Sequence, residues 1–152
     1  MNLNLLLFLI FIVAPIGTVI HELGHVIGAS LVKSDRIMLS IGTGKKLGTI
    51  SLKNVDISIH TLFFLGGYTY YERKDTYQSN ELIWMTILGP ISSCLFAYIF
   101  YYCYQVAPNS YFKLLFLFNA WLTIVNIVPF KFRRKSSDGY IIVKLLTNKH
   151  KI

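Results

Sequence analysis

The feature that most constrains this chain is an apolar run from Leu5 to Val32 whose ionisable side chains all lie within His21-Glu22-Leu23-Gly24-His25. The run is longer than the roughly 20 residues that a helix needs to cross a bilayer. A charged side chain at the bilayer centre costs roughly 2.5–3.5 kcal/mol on insertion scales, so such groups commonly mark a functional site. The run therefore predicts a membrane-spanning helix that contains a polar site.

The spacing of these polar residues indicates the chemistry. Positions i and i+4 of a helix lie on one face about 5–6 Å apart, so His21 and His25 can direct ring nitrogens at one metal ion. Glu22 lies beside that pair, where it can act on a water molecule rather than bind the metal. This is the H-E-x-x-H arrangement of zinc hydrolases. A polar cluster that only packs helices together is the alternative.

Composition and charge define the class of protein. Hydrophobic residues make up 54% and charged residues 14% of the chain, against about 25% charged in globular proteins. Lys and Arg cluster in segments 33–74 and 131–151, apart from Lys113, and are absent from 1–32 and 75–112. This alternation follows the positive-inside rule, so it predicts an external N-terminus, a cytoplasmic C-terminus, and the lipid bilayer rather than nucleic acid as the partner of the basic residues. The abundance of Ile, Asn and Lys favours a bacterial cell membrane.

The hydropathy pattern predicts a single domain over residues 1–152, an α-helical integral membrane protein. Three core transmembrane helices are expected, with a small membrane-associated β-hairpin or sheet between the first and second. The expected segments are spans at about 5–32, 82–104 and 112–130, a β region at about 37–71 and a short C-terminal helix at about 140–148.

The β region has two features of interest. Glycine and lysine at Gly42–Lys46 predict a turn, and Val55–Thr61 alternates apolar with polar residues as a half-buried strand does. An exposed strand edge near Gly66-Gly67-Tyr68 can pair with an unwound peptide substrate. A plain surface hairpin is the alternative there.

The residues alone leave two assignments open. A catalytic zinc shell typically adds a third protein ligand to two histidines, and Asp138 is either that ligand or the N-cap of the last helix. Asn119 and Asn126 lie inside the third span, where an amide can pack helices or serve catalysis. The other candidates for the third ligand are His60, Glu72, Asp75 and His150.

Four short motifs occur in order along the chain: His21-Glu22-Leu23-Gly24-His25, Gly66-Gly67-Tyr68, Leu88-Gly89-Pro90, and Asn126-Ile127-Val128-Pro129 with Asp138-Gly139. Their order and spacing resemble the site-2 protease family of intramembrane zinc metallopeptidases, in a minimal bacterial form. The chain departs from the family pattern at Asp138, which lies nine positions after Pro129 across a basic stretch.

The resemblance implies a role for each matching residue. His21, His25 and Asp138 would bind one Zn²⁺ per chain, and Glu22 would be the general base. Asn126 would orient the substrate or stabilise the oxyanion. Asn119 matches no motif, so the resemblance gives it no role.

The function expected from these features is zinc-dependent cleavage of a transmembrane or membrane-associated peptide near the cytoplasmic leaflet. A single-span membrane protein or a leader-peptide remnant is the expected substrate. The alternative is a non-catalytic zinc-binding protein that binds or stabilises a membrane peptide, but such a site needs no base beside its ligands, so Glu22 favours the enzyme. A metal transporter would need more intramembrane carboxylates.

Overall fold

The computed structural model describes residues 2–133 and 135–148. The described chain contains three long helices, and the polar motif lies in the first of them. An antiparallel pair of strands lies between the first and second long helices. The elements in chain order are α1 (Leu3–Phe8), a π-helical turn (Leu9–Val13), α2 (Ala14–Leu31), β1 (Arg36–Leu52), β2 (Val55–Glu72), α3 (Ser79–Val106), α4 (Ser110–Ile127), β3 (Lys131–Phe132), β4 (Lys135–Ser136) and α5 (Asp138–Asn148). The predicted order of long helices and sheet is confirmed.

Among the residues that the structure describes, three helical segments are long and apolar enough to cross a membrane: Leu3–Leu31, Ser79–Val106 and Ser110–Ile127. Large apolar side chains remain exposed along them, among them Tyr98 at 70% and Ile124 at 63%. In water such surface would be unfavourable, since burial of apolar area is the main driving force of folding. The surface of these helices is therefore suited to lipid.

The first long helix changes its hydrogen-bond register before Pro15. The N–H of Ala14 bonds the carbonyl of Leu9, five residues back, which is the π-helical spacing. Proline lacks an N–H, and its ring crowds the carbonyl four residues before it, so a regular α-helical turn is disfavoured at this point. The helix accommodates Pro15 and continues to Leu31, which lies one residue before the predicted end.

The other two long helices differ from the prediction at their ends. The third span ends at Ile127 rather than at residue 130, because Val128 precedes a proline and adopts an extended conformation with ψ 123°. The second span begins at Ser79 rather than at residue 82, because Gln78 and Glu81 form a capping box that starts the helix earlier.

The chain reverses direction at the predicted place and again at a second one. Residues Gly42–Lys46 belong to β1, but the segment before them runs parallel to Val55–Ile59 of β2 and the segment after them runs antiparallel to it, so the predicted reversal occurs inside the strand. The second reversal lies between Leu52 and Val55, where Lys53 has a φ of 54°. Gly42 and Gly44 have φ of 80° and 92°, which allows β1 to bend through several register shifts instead of ending.

The bend gives the sheet its arrangement. Ile37 lies opposite both Tyr71 and Val55, so the first half of β1 lies between the two halves of β2. Within the described part of the chain, the second half of β2 pairs with no other strand. Its outer edge is therefore free, as the sequence led us to expect for the region of Gly66.

Two glycines allow α2 and α3 to cross closely. A Cβ atom at Gly24 would overlap the backbone of Leu88, and one at Gly28 would lie 2.7 Å from the Cα of Met85. Small residues at such crossings let helix backbones approach, which compensates for the weak hydrophobic drive between helices in lipid. The close crossing brings α3 under the polar motif of α2.

We expect Gly24→Ala to destabilise the protein, because the added methyl group meets backbone rather than a movable side chain. Overpacking of this kind costs about 1–3 kcal/mol. The measurement is the unfolding midpoint in detergent, with Gly48→Ala as the control, since nothing lies within 4 Å of a Cβ at that position. A wild-type midpoint for Gly24→Ala would contradict this account of the crossing.

Candidate metal centre

Three potential ligands from two helices meet beside α3. His21 and His25 project from α2, and their Nε2 atoms are 3.3 Å apart. The Oδ2 atom of Asp138, in α5, lies 3.2 Å from Nε2 of His21 and 3.5 Å from Nε2 of His25. All three side chains are largely shielded from solvent. The structure therefore brings together the three residues that the resemblance named as ligands.

The position of Asp138 depends on how α5 begins. Ser137 caps the helix, since its Oγ accepts a hydrogen bond from the N–H of Tyr140 and donates one to the carbonyl of Val128. The alternative in which Asp138 is the N-cap is therefore wrong, and its carboxylate is free to face the histidines. Gly139 is required beside it, because a Cβ there would overlap the carbonyl of Ile127 at the end of α4.

The three ligand atoms have the separations that a metal ion requires. Ligands 2.0–2.1 Å from a tetrahedral zinc ion are about 3.3 Å apart, and the observed separations are 3.2, 3.3 and 3.5 Å. Oδ2 of Asp138 is buried yet accepts no hydrogen bond from any described residue. A buried carboxylate oxygen in that state needs a cation, so the residues fit a metal ion.

The charge state of Asp138 also suits a ligand. Burial acts to raise its pKa, but the interaction with the two imidazoles outweighs burial and holds the pKa below its ordinary value. The carboxylate is therefore ionised near neutral pH, which is the form that binds a cation.

Helix α3 contacts the Nδ1 atoms of both imidazole rings. Nδ1 of His25 donates to the carbonyl of Met85 at 2.9 Å, and Nδ1 of His21 lies 3.0 Å from Oγ of Ser93. The motif Leu88-Gly89-Pro90 requires glycine at position 89, because a Cβ atom there would overlap the His25 ring. Gly89 belongs to a motif that is visible in the sequence, whereas Met85 and Ser93 belong to no motif and were not predicted.

Glu22 lies in the same cavity without belonging to the group of ligands. It is 92% shielded from solvent, and its Oε2 accepts a hydrogen bond of 2.8 Å from Oγ1 of Thr69 in β2. Thr69 was not identified from the sequence. A buried carboxylate next to potential metal ligands, fixed by a single hydroxyl, is placed to exchange a proton with a bound water molecule.

A cavity of about 570 Å³ opens at these groups. One wall is the β2 segment Gly66–Tyr68, which the sequence analysis proposed to contact substrate, and Asn126 lies on the wall formed by α4. Nδ2 of Asn126 donates one hydrogen bond to the carbonyl of Leu122, which leaves its second amide hydrogen available. Asn119 does not line this cavity; it is fully buried and donates to the carbonyl of Leu115.

The other candidates for the third ligand do not join the group. His60 lies in a second cavity of about 590 Å³ against the sheet, with Nδ1 3.3 Å from Oγ of Ser40. Among the described residues, neither Glu72 nor Asp75 belongs to a group of three potential metal ligands. His150 lies outside the described residues.

Two histidines at a four-residue spacing, a nearby carboxylate ligand and an adjacent Glu define the class of metallopeptidases. The model of peptidase family M50 matches residues 6–109. The chain therefore belongs to peptidase family M50, the site-2 protease family. A comparison with curated proteins found no match.

The family match covers the first part of the chain and not the whole of it. It includes the H-E-x-x-H motif, both long strands and all of α3, and it ends at residue 109. Asn126 and Asp138 lie beyond it, so their assignment depends on the geometry described above. Together, the family and the apolar helices indicate a membrane protein with a metallopeptidase site.

We expect purified wild-type protein to contain about one metal ion per chain, since one tetrahedral site accounts for all three donors. His21→Ala and Asp138→Asn should lose the metal, because each removes a ligand or its charge. His60→Ala is the matched control and should keep it. The measurement is metal content by mass spectrometry after purification in detergent.

Full metal retention in Asp138→Asn would contradict the assignment of this ligand. Metal loss in His60→Ala would indicate that the ion binds at the second cavity instead.

Proposed function

We propose that this protein is a zinc-dependent intramembrane endopeptidase that cleaves a transmembrane or membrane-associated peptide near the cytoplasmic leaflet. The observation that supports it best is the position of Glu22, which shares a cavity with the three ligands but is hydrogen-bonded to Thr69 instead of joining them. A centre that bound zinc only for stability would not need this carboxylate. Membership of a peptidase family supports the same conclusion.

The residues divide the chemistry between them. His21, His25 and Asp138 would hold the zinc ion, which when bound supplies Lewis acidity and makes a water molecule more acidic. Glu22 accepts a proton from the attacking water and passes it to the leaving amine. The free amide hydrogen of Asn126 is available to a substrate carbonyl oxygen.

The charge distribution supports a cytoplasmic position for the site. The ligands lie in the second half of α2 and in α5, and both helices adjoin the basic segments 33–74 and 131–151. The positive-inside rule supports a cytoplasmic position for these segments, and the proposed orientation therefore has the N-terminus outside and the C-terminus inside. The proposed location is the cell membrane of a bacterium.

The free edge of β2 suggests how a substrate binds. A peptide bond within an intact helix is shielded by its neighbours, so the substrate must be extended at the site. Residues Gly66–Tyr68 line the cavity within β2, where the second half of the strand has an outer edge with no partner among the described residues. An extended segment added to this edge would run past Glu22 and the ligands. Single-span membrane proteins and leader-peptide remnants are the proposed substrates.

Glu22→Gln should abolish proteolysis while zinc content stays at the wild-type level. Removal of a general base lowers the rate about 10²- to 10⁴-fold. Cleavage of a fluorogenic single-span peptide in detergent is the measurement. Glu72→Gln, an exposed glutamate at the end of β2, is the control and should cleave normally.

Full proteolysis by Glu22→Gln would exclude the proposed mechanism. If zinc is bound and the wild type cleaves no membrane peptide, the alternative of a zinc-binding, peptide-binding protein is favoured.

Pairing with a strand edge predicts an alternating pattern in peptide binding. Along an added strand, successive backbone N–H groups point to opposite sides, so every second one bonds the edge. N-methylation at those positions should weaken binding to the Glu22→Gln protein at least about tenfold, which corresponds to about 1.4 kcal/mol. Methylation at the intervening positions is the internal control. The measurement is fluorescence anisotropy of the labelled peptide. An equal loss of binding affinity at all positions would contradict pairing of the peptide with the edge of β2.

A further inference from the structure

Three residues of α3 form one stripe beneath the two histidines. Met85, Gly89 and Ser93 are spaced four apart, so they lie on a single face of the helix. The carbonyl of Met85 contacts His25, Gly89 leaves room for the His25 ring, and the hydroxyl of Ser93 contacts His21. The whole stripe therefore faces the candidate metal centre.

We propose that Ser93 is a positioning residue of this centre, which holds His21 with its proton on Nδ1 and its Nε2 lone pair toward the metal. The proposal rests on the proposed function only in requiring that the centre binds zinc. A hydrogen bond to the second ring nitrogen of a ligating histidine fixes its tautomer and orientation, and loss of such a partner typically weakens metal binding 10- to 100-fold.

The chemistry of the two contacts supports this assignment. A backbone carbonyl only accepts, so the contact with Met85 places the proton of His25 on Nδ1 and leaves Nε2 bare. The Nε2 atoms of both histidines lie within 3.5 Å of Asp138, so the same tautomer of His21 gives a matched pair of ligands. Oγ of Ser93 then accepts the Nδ1 proton of His21, 3.0 Å away.

The environment of Ser93 also indicates a specific role. The residue is fully buried, and an unpaired hydroxyl in such a place is costly. Its hydrogen bond with His21 is the contact that meets this need. The contact is made by a side chain, so a single substitution removes it, whereas the Met85 carbonyl cannot be removed in that way.

The neighbouring serine provides a matched control. Ser92 donates a hydrogen bond of 2.8 Å to the backbone carbonyl of Ile20, so it joins the same two helices without touching either imidazole. A serine that mattered only for packing α3 against α2 would behave like Ser92. Ser93→Ala and Ser92→Ala therefore separate positioning of the ligand from packing.

The experiment is a zinc competition titration against a chromophoric chelator, with wild type, Ser93→Ala and Ser92→Ala in detergent. We expect Ser93→Ala to bind zinc 10- to 100-fold more weakly and Ser92→Ala to match wild type. Cobalt substitution gives a second readout, since the visible spectrum of bound Co²⁺ should shift in Ser93→Ala and stay unchanged in Ser92→Ala.

Wild-type zinc affinity in Ser93→Ala, or an equal loss in Ser92→Ala, would overturn the proposal. Zinc binding does not depend on turnover, so the two hypotheses fail separately. A wild type that binds zinc but cleaves no peptide overturns the proposed function and leaves the role of Ser93 intact. A wild type that binds no zinc overturns both.

Discussion

The meeting of two imidazoles and one carboxylate at a largely buried position is the constraint on which the rest of the structure depends. Ionisable groups in an apolar environment are costly unless they are paired or bind a cation. The Nδ1 atoms of His21 and His25 need hydrogen-bond partners, and the carboxylate of Asp138 needs a positive charge nearby. Much of the surrounding structure can be understood as meeting these needs: α3 supplies the partners, and α5 brings the carboxylate.

Glycine residues contribute as much to this arrangement as the polar side chains do. At Gly24, Gly89 and Gly139 a single Cβ atom would overlap a neighbouring backbone or the imidazole of a proposed ligand. The three positions correspond to three approaches: α2 to α3, His25 to α3, and α5 to the end of α4. Close packing of this kind restricts the movement of the rings and the carboxylate, and a metal centre requires its ligands to be held within about 0.5 Å of the productive geometry.

The parts of the fold that follow local rules could be predicted from the sequence. Long apolar runs predicted the helices, and the H-E-x-x-H spacing predicted two neighbouring imidazoles. Helix ends were less accurate, because they depend on single residues such as Val128 before its proline. The reversal at Gly42–Lys46 was predicted from its glycines, but not that β1 continues through it, because glycine permits a strand to bend without ending.

The site could be predicted only in part, for a physical reason. From the residues alone Asp138 was one of several candidate carboxylates and histidines; the family resemblance named it, and its proximity to the two histidines distinguishes it in the structure. Ser93 and the Met85 carbonyl act through single hydrogen bonds between helices, and such contacts leave no periodic trace in the chain. Thr69 is similar, because nothing in the alternation of β2 indicates that its hydroxyl meets Glu22.

The bond between Thr69 and Glu22 has a consequence for how the protein can change over evolution. Thr69 belongs to the same strand as Gly66–Tyr68 and is separated from that segment by no intervening residue. Substitutions that reshape this strand to admit a different peptide would also shift the hydroxyl that orients the carboxylate. In the proposed function, selectivity and turnover are therefore linked through one strand, and a new peptide preference would be acquired together with a change in catalytic rate.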